Sequence, residues 1–214
     1  MKNTVILGAG GHSKVVIEVM RQQRAYEPSA CISADGPTDI LGVPVVGDDR
    51  CLPELLNQGI DHAFVAIGNN QLRAQLLDKV QKMGFQLARV ISPQAIVAAS
   101  ATIARGVVIM PGALIGTETL VQAGTIVNSN ATIDHDCTLK PNCHIAPGSA
   151  LAGGVNVGRE TFLGTGVSVI PHISIGDHSV VGAGSVVIRN VPDSTTTFGV
   201  PAHHQQTAIN DDTP

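Results

Sequence analysis

The chain has 214 residues and a formal net charge of -4, from 13 Lys and Arg against 17 Asp and Glu; 14% of its residues are charged, 2% are aromatic and none is Trp. That length can bury a sizeable core, which must be filled by Val, Ile, Leu, Ala and Cys, while 23 Gly and 12 Pro demand many tight turns. The acidic balance excludes a binder that needs a broad basic surface, four Cys without a CxxC pair read as reduced thiols, and the absence of a leader or of ~20 consecutive apolar residues makes the cytoplasm the expected location.

In chain order, residues 1–90 alternate short apolar runs with amphipathic stretches. "TVILG" reads as a buried strand ending in a glycine turn and "HSKVVIEVMRQQ" as a helix. "SACIS" and "HAFVAIG" read as further strands, and "NQLRAQLLDKVQKMG" as a helix that stops at Gly84. The alternation predicts a small α/β, Rossmann-like unit with a mostly parallel sheet. Gly8, Gly10 and Gly11 permit a tight strand-to-helix turn whose free N–H groups meet phosphate oxygens, and His12 belongs to the same loop. Gly68 and Asn69 end a neighbouring strand, where open α/β sheets bind ligands. A dinucleotide-binding protein is the weaker reading of this loop, because Ser13 stands where the fingerprint needs its third glycine.

Residues 91–192 follow a different rule. From Ile91 to Val187 every sixth residue is aliphatic, and the residue four places after each is mostly small, as at Ala113, Ala131, Cys137, Cys143 and Ser149. A helical period of 3.6 would lose this register within a few steps. One large and one small inward residue per six fit a short strand plus a turn, stacked as a parallel β-solenoid. Three units close a triangular coil of 18 residues, so the stretch supplies about five coils. Residues 193–214 form a closing loop and tail, of which "AINDDTP" reads as mobile.

The stretch "IDHDCTLKPNCHI", residues 133–145, gathers four residues with metal-ligand chemistry. The repeat separates them. Cys137 and Cys143 fall in the small inward slot, whereas His135 lies at an outward corner and His144 on the outer face of a strand. Ligands split between inside and outside cannot converge on one zinc ion, so no metal is expected. A buried apolar thiol is likewise a poor nucleophile. His135 is flanked by Asp134 and Asp136, the arrangement that orients an imidazole and raises its basicity. Half a coil separates His135 from His144, so the two histidines can share a site only across a subunit interface, such as a trimer of prisms would provide. His62, His172 and His178 read as strand-start or corner residues without chemistry.

"ILGAGGHSKVV", "FVAIGNNQLR", "NSNATIDHDC", "HIAPGSALAGGVNVG" and "VVGAGSVV" together resemble the bacterial left-handed β-helix sugar acetyltransferases, the family of the sialic acid O-acetyltransferases and the UDP-4-amino-sugar N-acetyltransferases of bacillosamine synthesis. The resemblance implies left-handed coils, acetyl-CoA as co-substrate and a homotrimer. It implies His135 as general base and Asp136 as the acid that increases its basicity. His144 would touch the thioester region, and Thr165, Gly182 and Ala183 would line the pantetheine groove. Gly10, Gly11, His12, Asp35, Gly68 and Asn69 would hold a nucleotide sugar, favoured as UDP-linked with dTDP or GDP as alternatives. The acceptor implied is the amine of a 4-amino-4,6-dideoxy sugar destined for a surface glycan or glycoprotein; O-acetylation of sialic acid or another hydroxyl is the alternative. Two departures stand out: "SADG" lacks the family's second consecutive acid after the second strand, and His203 replaces the usual base after "GVPA", leaving either it or Arg189 to meet a CoA phosphate. A scaffold without catalysis is the remaining rival for the solenoid.

Overall fold

The computed structural model describes residues 1–204, so the "AINDDTP" tail lies outside the described residues. The N-terminal unit runs β1 (Lys2–Leu7), α1 (Gly11–Gln23), β2 (Tyr26–Ile32), α2 (Leu52–Asn57), β3 (His62–Val65), α3 (Asn70–Lys82) and β4 (Gln86–Leu87). The strands form one parallel sheet in the order β2-β1-β3-β4. Val5, Ile6 and Leu7 are buried in succession because helices cover both faces of this sheet, which is why β1 reads as a continuous apolar run. The short α2 and a small hairpin, Asp39–Ile40 paired with Val43–Pro44, are not foreseen by periodicity. The segment is too short and too rich in Gly and Pro to carry a period.

Beyond β4 the chain winds as a left-handed β-helix with two-residue strands on three faces. The first face stacks Val90–Ile91, Val108–Ile109, Ile126–Val127, His144–Ile145, Phe162–Leu163 and Val180–Val181, then continues into Thr196–Phe198 and an antiparallel His203–His204. The second face begins at Ile96–Val97 and includes Thr132–Ile133; the third begins at Thr102–Ile103 and includes Thr138–Leu139. Six solenoid strands on each of the first two faces and five on the third make between five and six coils, slightly more than the five expected. Each strand pairs with the one 18 residues on, as in Ile126↔His144 and His144↔Phe162.

Two columns of side chains explain the repeat. Ile109, Val127, Ile145, Leu163 and Val181 fill the interior of the first face, while Ala113, Ala131, Cys137, Cys143 and Val155 occupy the tighter corner slots. Truncating one of the large residues to Ala would cost about 2–5 kcal/mol. Hydroxyls in the small slots also serve the backbone: Thr119 Oγ1 donates to the Asp134 carbonyl at 2.7 Å and Thr161 Oγ1 to that of Gly176 at 2.6 Å. A third period lies at the corners. Every sixth residue from Gly106 to Gly184 has positive φ, and the non-glycine members include Asn130, Asp136 and Asn142, the residue types that best tolerate that conformation.

The N-terminal unit packs on the solenoid's first face. Val90, Val108 and Ile126 point outward there and join Val16, Ile17, Met20 and Phe64 in one buried cluster. Helix α3 follows the corner before this face. Leu77 lies over Gly106 and Gly124, where a Cβ would come within 3.3 and 2.5 Å of its methyl groups.

Candidate active site

His135 sits at the corner between the second and third faces, after the Thr132–Ile133 strand. Its Nδ1 lies 2.7 Å from Asp136 Oδ2, and its backbone N–H donates to Asp134 Oδ1 at 2.8 Å. With the Nδ1 proton held by the carboxylate, Nε2 carries the lone pair. Hydrogen bonding to Asp136, then the charge of Asp134, holds the imidazole above its ordinary pKa. The side chain is 56% exposed, so a proton on Nε2 can leave or arrive freely. The corner is braced from below. Thr119 Oγ1 binds the Asp134 carbonyl and accepts from the Cys137 N–H at 3.1 Å, and Asp136 N–H donates to Thr117. From above it is closed by Gly153, whose Cβ would stand 2.5 Å from His135 Cε1 and 2.6 Å from Nε2. Only a residue without a side chain lets the ring lie where it does.

His144 points outward as the register requires, but onto the chain's own N-terminal unit and not onto open surface. Its ring meets Phe162 edge-on with centroids 5.2 Å apart. Asn128 Oδ1 accepts from the Ser129 N–H at 2.8 Å, which turns the Asn128 amide N–H toward His144 Nε2 at 3.2 Å. Nε2 is therefore an acceptor and the neutral ring carries its proton on Nδ1, which is buried without a hydrogen-bond partner among the described residues. Burial, then Arg73 and His12, lower this histidine to about pKa 3 against a weaker opposing pull from the Gly68 carbonyl. His12, on the first turn of α1, is lowered to about 4 by burial and then Arg73, and its Nε2 is likewise unpartnered. Both rings stay neutral at physiological pH. Cys137 and Cys143 face inward, and burial raises both thiols, Cys143 to about 12.

The remaining expected residues fall into two places. Gly8–His12 after β1, Asp35 after β2 and Gly68–Asn69 after β3 share the carboxyl edge of the parallel sheet. The strict need for glycine there is at Gly8, with φ of 118° and a Cβ position 2.9 Å from the Ala66 carbonyl. Gly10 and Gly11 look into open space, and Asp35 is exposed. Gly68 and Asn69 also line a cavity of about 280 Å³ with Asn70, Gln71, Glu160, Phe162, His178 and Val180; Gly10, Gly11, His12 and Asp35 do not line it. Thr165, Gly182 and Ala183 meet at the corner between the first and second faces, where a Cβ on the adjoining Gly164 would strike Ala183 N at 2.6 Å. Arg189 and His203 both edge a small depression at the last coil. Within one chain, His135 and His144 lie on different sides of the prism.

Sequence reasoning missed Asn70, Arg73, Asn128, Glu160 and Phe162, and it set His178 aside although that residue lines the cavity and approaches Glu160 at 3.5 Å. The signal was present for most of them. Phe162 and Glu160 follow His144 and Asn142 by one coil, and Asn70 and Arg73 stand in "IGNNQLR".

Residues 3–80 match the family model described as the PglD N-terminal domain. Over its length the chain is similar to a variant of perosamine N-acetyltransferase from Caulobacter crescentus, solved with CoA and GDP-perosamine, at 46% identity with 95% of this chain and 97% of that one covered and a TM-score of 0.93. It is also similar to the acetyltransferase domain of PglB from Neisseria gonorrhoeae, solved with acetyl coenzyme A, at 35% identity, 95% and 99% coverage and a TM-score of 0.91. Galactoside O-acetyltransferase of Lactococcus lactis matches at 45% identity over 47 residues, 22% of this chain and 23% of its own length, so the match to such curated relatives spans about a quarter of them. The chain belongs to the bacterial left-handed β-helix sugar acetyltransferase family.

Proposed function

We propose that this chain is an acetyl-CoA-dependent N-acetyltransferase that acts on the 4-amino group of a nucleotide-linked 4-amino-4,6-dideoxy sugar. The observation that carries the reading is the His135–Asp136 pair, a base with Nε2 free, set on the β-helix of a chain whose glycine loop and Gly68–Asn69 share one sheet edge. His135 Nε2 takes the proton of the amine as its nitrogen attacks the thioester carbonyl. Asp136 holds the imidazolium that forms. The C–S bond then breaks, and the CoA thiolate receives the proton from His135, leaving an N-acetyl sugar and free CoA. His144, whose Nδ1 is buried beside the Gly68 carbonyl of its own chain, borders the acetyl-CoA side of the site through its ring and not as an oxyanion donor. Thr165, Gly182 and Ala183 line the pantetheine path.

Because His135 and His144 occupy different sides of one prism, the site is completed between subunits of a homotrimer, with His135 from one copy and the His144 seam from the next. A GDP-linked acceptor stands first, ahead of the UDP-linked sugar that the motif resemblance favours, since the relative at 46% identity was solved with GDP-perosamine. Turnover with acetyl-CoA across GDP-, UDP- and dTDP-linked 4-amino sugars, with sialic acid as the hydroxyl control, tests the reading. Preference for a GDP-linked amine is expected, and a strict preference for a free hydroxyl would overturn it.

A further inference from the structure

Arg73 is 1% exposed, the largest of the fully buried side chains, and has no carboxylate hydrogen-bond partner among the described residues. Every donor is spent on neutral oxygens. Nε donates to the Gly124 carbonyl at 2.7 Å; Nη1 donates to Ile67 at 3.0 Å and Gly68 at 3.1 Å; Nη2 donates to Asn70 Oδ1 at 2.7 Å and to the Asn142 and Cys143 carbonyls at 2.6 and 3.3 Å. Asn70 then donates to the Glu160 carbonyl at 2.9 Å. Gly124, Asn142 and Glu160 are the same corner position in three successive coils, all with positive φ, so their carbonyls form a ladder along which α3 is pinned. Burying a guanidinium is costly unless its donors are satisfied, and here the ladder replaces the water. A staple that served only to join two units would not need a charge, and apolar contacts of α1 on the first face already supply adhesion.

What the fork touches on each side is specific. On one side are Ile67 and Gly68, the loop that edges the cavity; on the other are Asn142 and Cys143, which lead directly into His144. We propose that Arg73 is a positioning residue for acetyl transfer, locking the Gly68 loop to the strand that carries His144 so that the acceptor and the acyl donor are held at one separation. This rests on the acceptor and donor assignments made above. A compact ammonium at the same place cannot reach both sets of carbonyls at once, because the fork's span is the point of the arrangement.

The test is steady-state kinetics of the full-length chain with acetyl-CoA and the best nucleotide amino sugar, comparing wild type, Arg73→Lys and Arg73→Ala, with oligomeric state and melting temperature recorded for each. An error of about 1 Å in reactant placement costs on the order of 10²-fold in rate. The expected result for Arg73→Lys is therefore a fall in kcat of at least about 10-fold while KM for acetyl-CoA stays within about threefold. Millimolar guanidinium should restore part of the activity of Arg73→Ala without changing wild type. If kcat of Arg73→Lys, assayed well below its melting temperature, stays within about threefold of wild type, Arg73 is a staple only and the proposal is overturned. Failure of the lysine variant to fold would overturn it in the same way. An inactive wild type would instead refute the acceptor reading, before any variant is compared.

Discussion

Replacing Gly153 by Ala perturbs the candidate base without touching it. A Cβ at this position would stand 2.5 Å from His135 Cε1, 2.6 Å from Nε2 and 3.2 Å from Nδ1. Ordinary contact between such atoms begins near ~3.5 Å, so the ring must retreat by about 1 Å or swing off the corner. Gly153 does not have a positive φ, so alanine fits the backbone and the burden falls on the ring. The ring is 56% exposed and can move into solvent, which keeps the stability cost within about 1 kcal/mol. The 2.7 Å bond from Nδ1 to Asp136 does not survive that displacement, and neither does the aim of Nε2. Misplacement on this scale predicts a loss in kcat on the order of 10²-fold. The His135 pKa should fall back toward its ordinary value as the Asp136 bond is lost. Kinetics with acetyl-CoA and the amino sugar, together with an NMR titration of the His135 ring, measure both quantities. A variant that assembles normally, keeps kcat within threefold and leaves the titration unmoved would show that Gly153 does not shape the site.

His135→Ala should lower kcat by about 10²- to 10⁴-fold at unchanged oligomeric state, measured by the same assay. The base must be neutral to act, so the acid limb of kcat/KM should lie above the ordinary histidine value of 6.5, and Asp136→Asn should shift that limb to lower pH. Acid should also destabilise the fold. His12 and His144 are held neutral with pKa values near 4 and 3, below the 6.5 of the unfolded chain, so their contribution is intact above 6.5 and lost as pH falls toward 4. At pH 5 the loss is about 2 kcal/mol for each, a drop that melting curves at pH 7.5 and 5 should register and that a His12→Gln, His144→Gln double variant should flatten. Gly8→Ala combines positive φ with a Cβ 2.9 Å from a carbonyl and should cost at least about 2 kcal/mol in denaturant unfolding; a midpoint equal to wild type would contradict the geometry.

The solenoid was legible because its coils repeat. An aliphatic residue every six positions survives any local irregularity, and Ile133, Leu139 and Ile145 in register were enough to send Cys137 and Cys143 inward. The β1–α1 turn was legible from its glycines, although only Gly8 among them is sterically required. What periodicity could not convey was contact between the halves. Register assigns His144 to the outside of the prism, but whether the outside meets water, another subunit or this chain's own helix depends on where α1 and α3 dock. The cue lay in the column at 18-residue spacing: Val90, Val108 and Ile126 are too apolar to face water, and His144 and Phe162 continue their line.

The column of positive-φ corners ties the fold to the chemistry more closely than the apolar repeat does. A prism needs a residue in the left-handed region at each corner, and side chains other than Gly, Asn and Asp adopt it at a cost. Asp136 occupies one of these positions with φ of 59°, so the residue that turns the chain is also the one whose carboxylate holds His135. Asn142 occupies the next one along, with φ of 58°, and its carbonyl receives Arg73. The turn requirement directs the carboxylate back beside its neighbour's ring and turns the carbonyl out to the helix. Two successive corners, each needed to close its coil, thereby supply the carboxylate that holds His135 and the carbonyl that anchors Arg73.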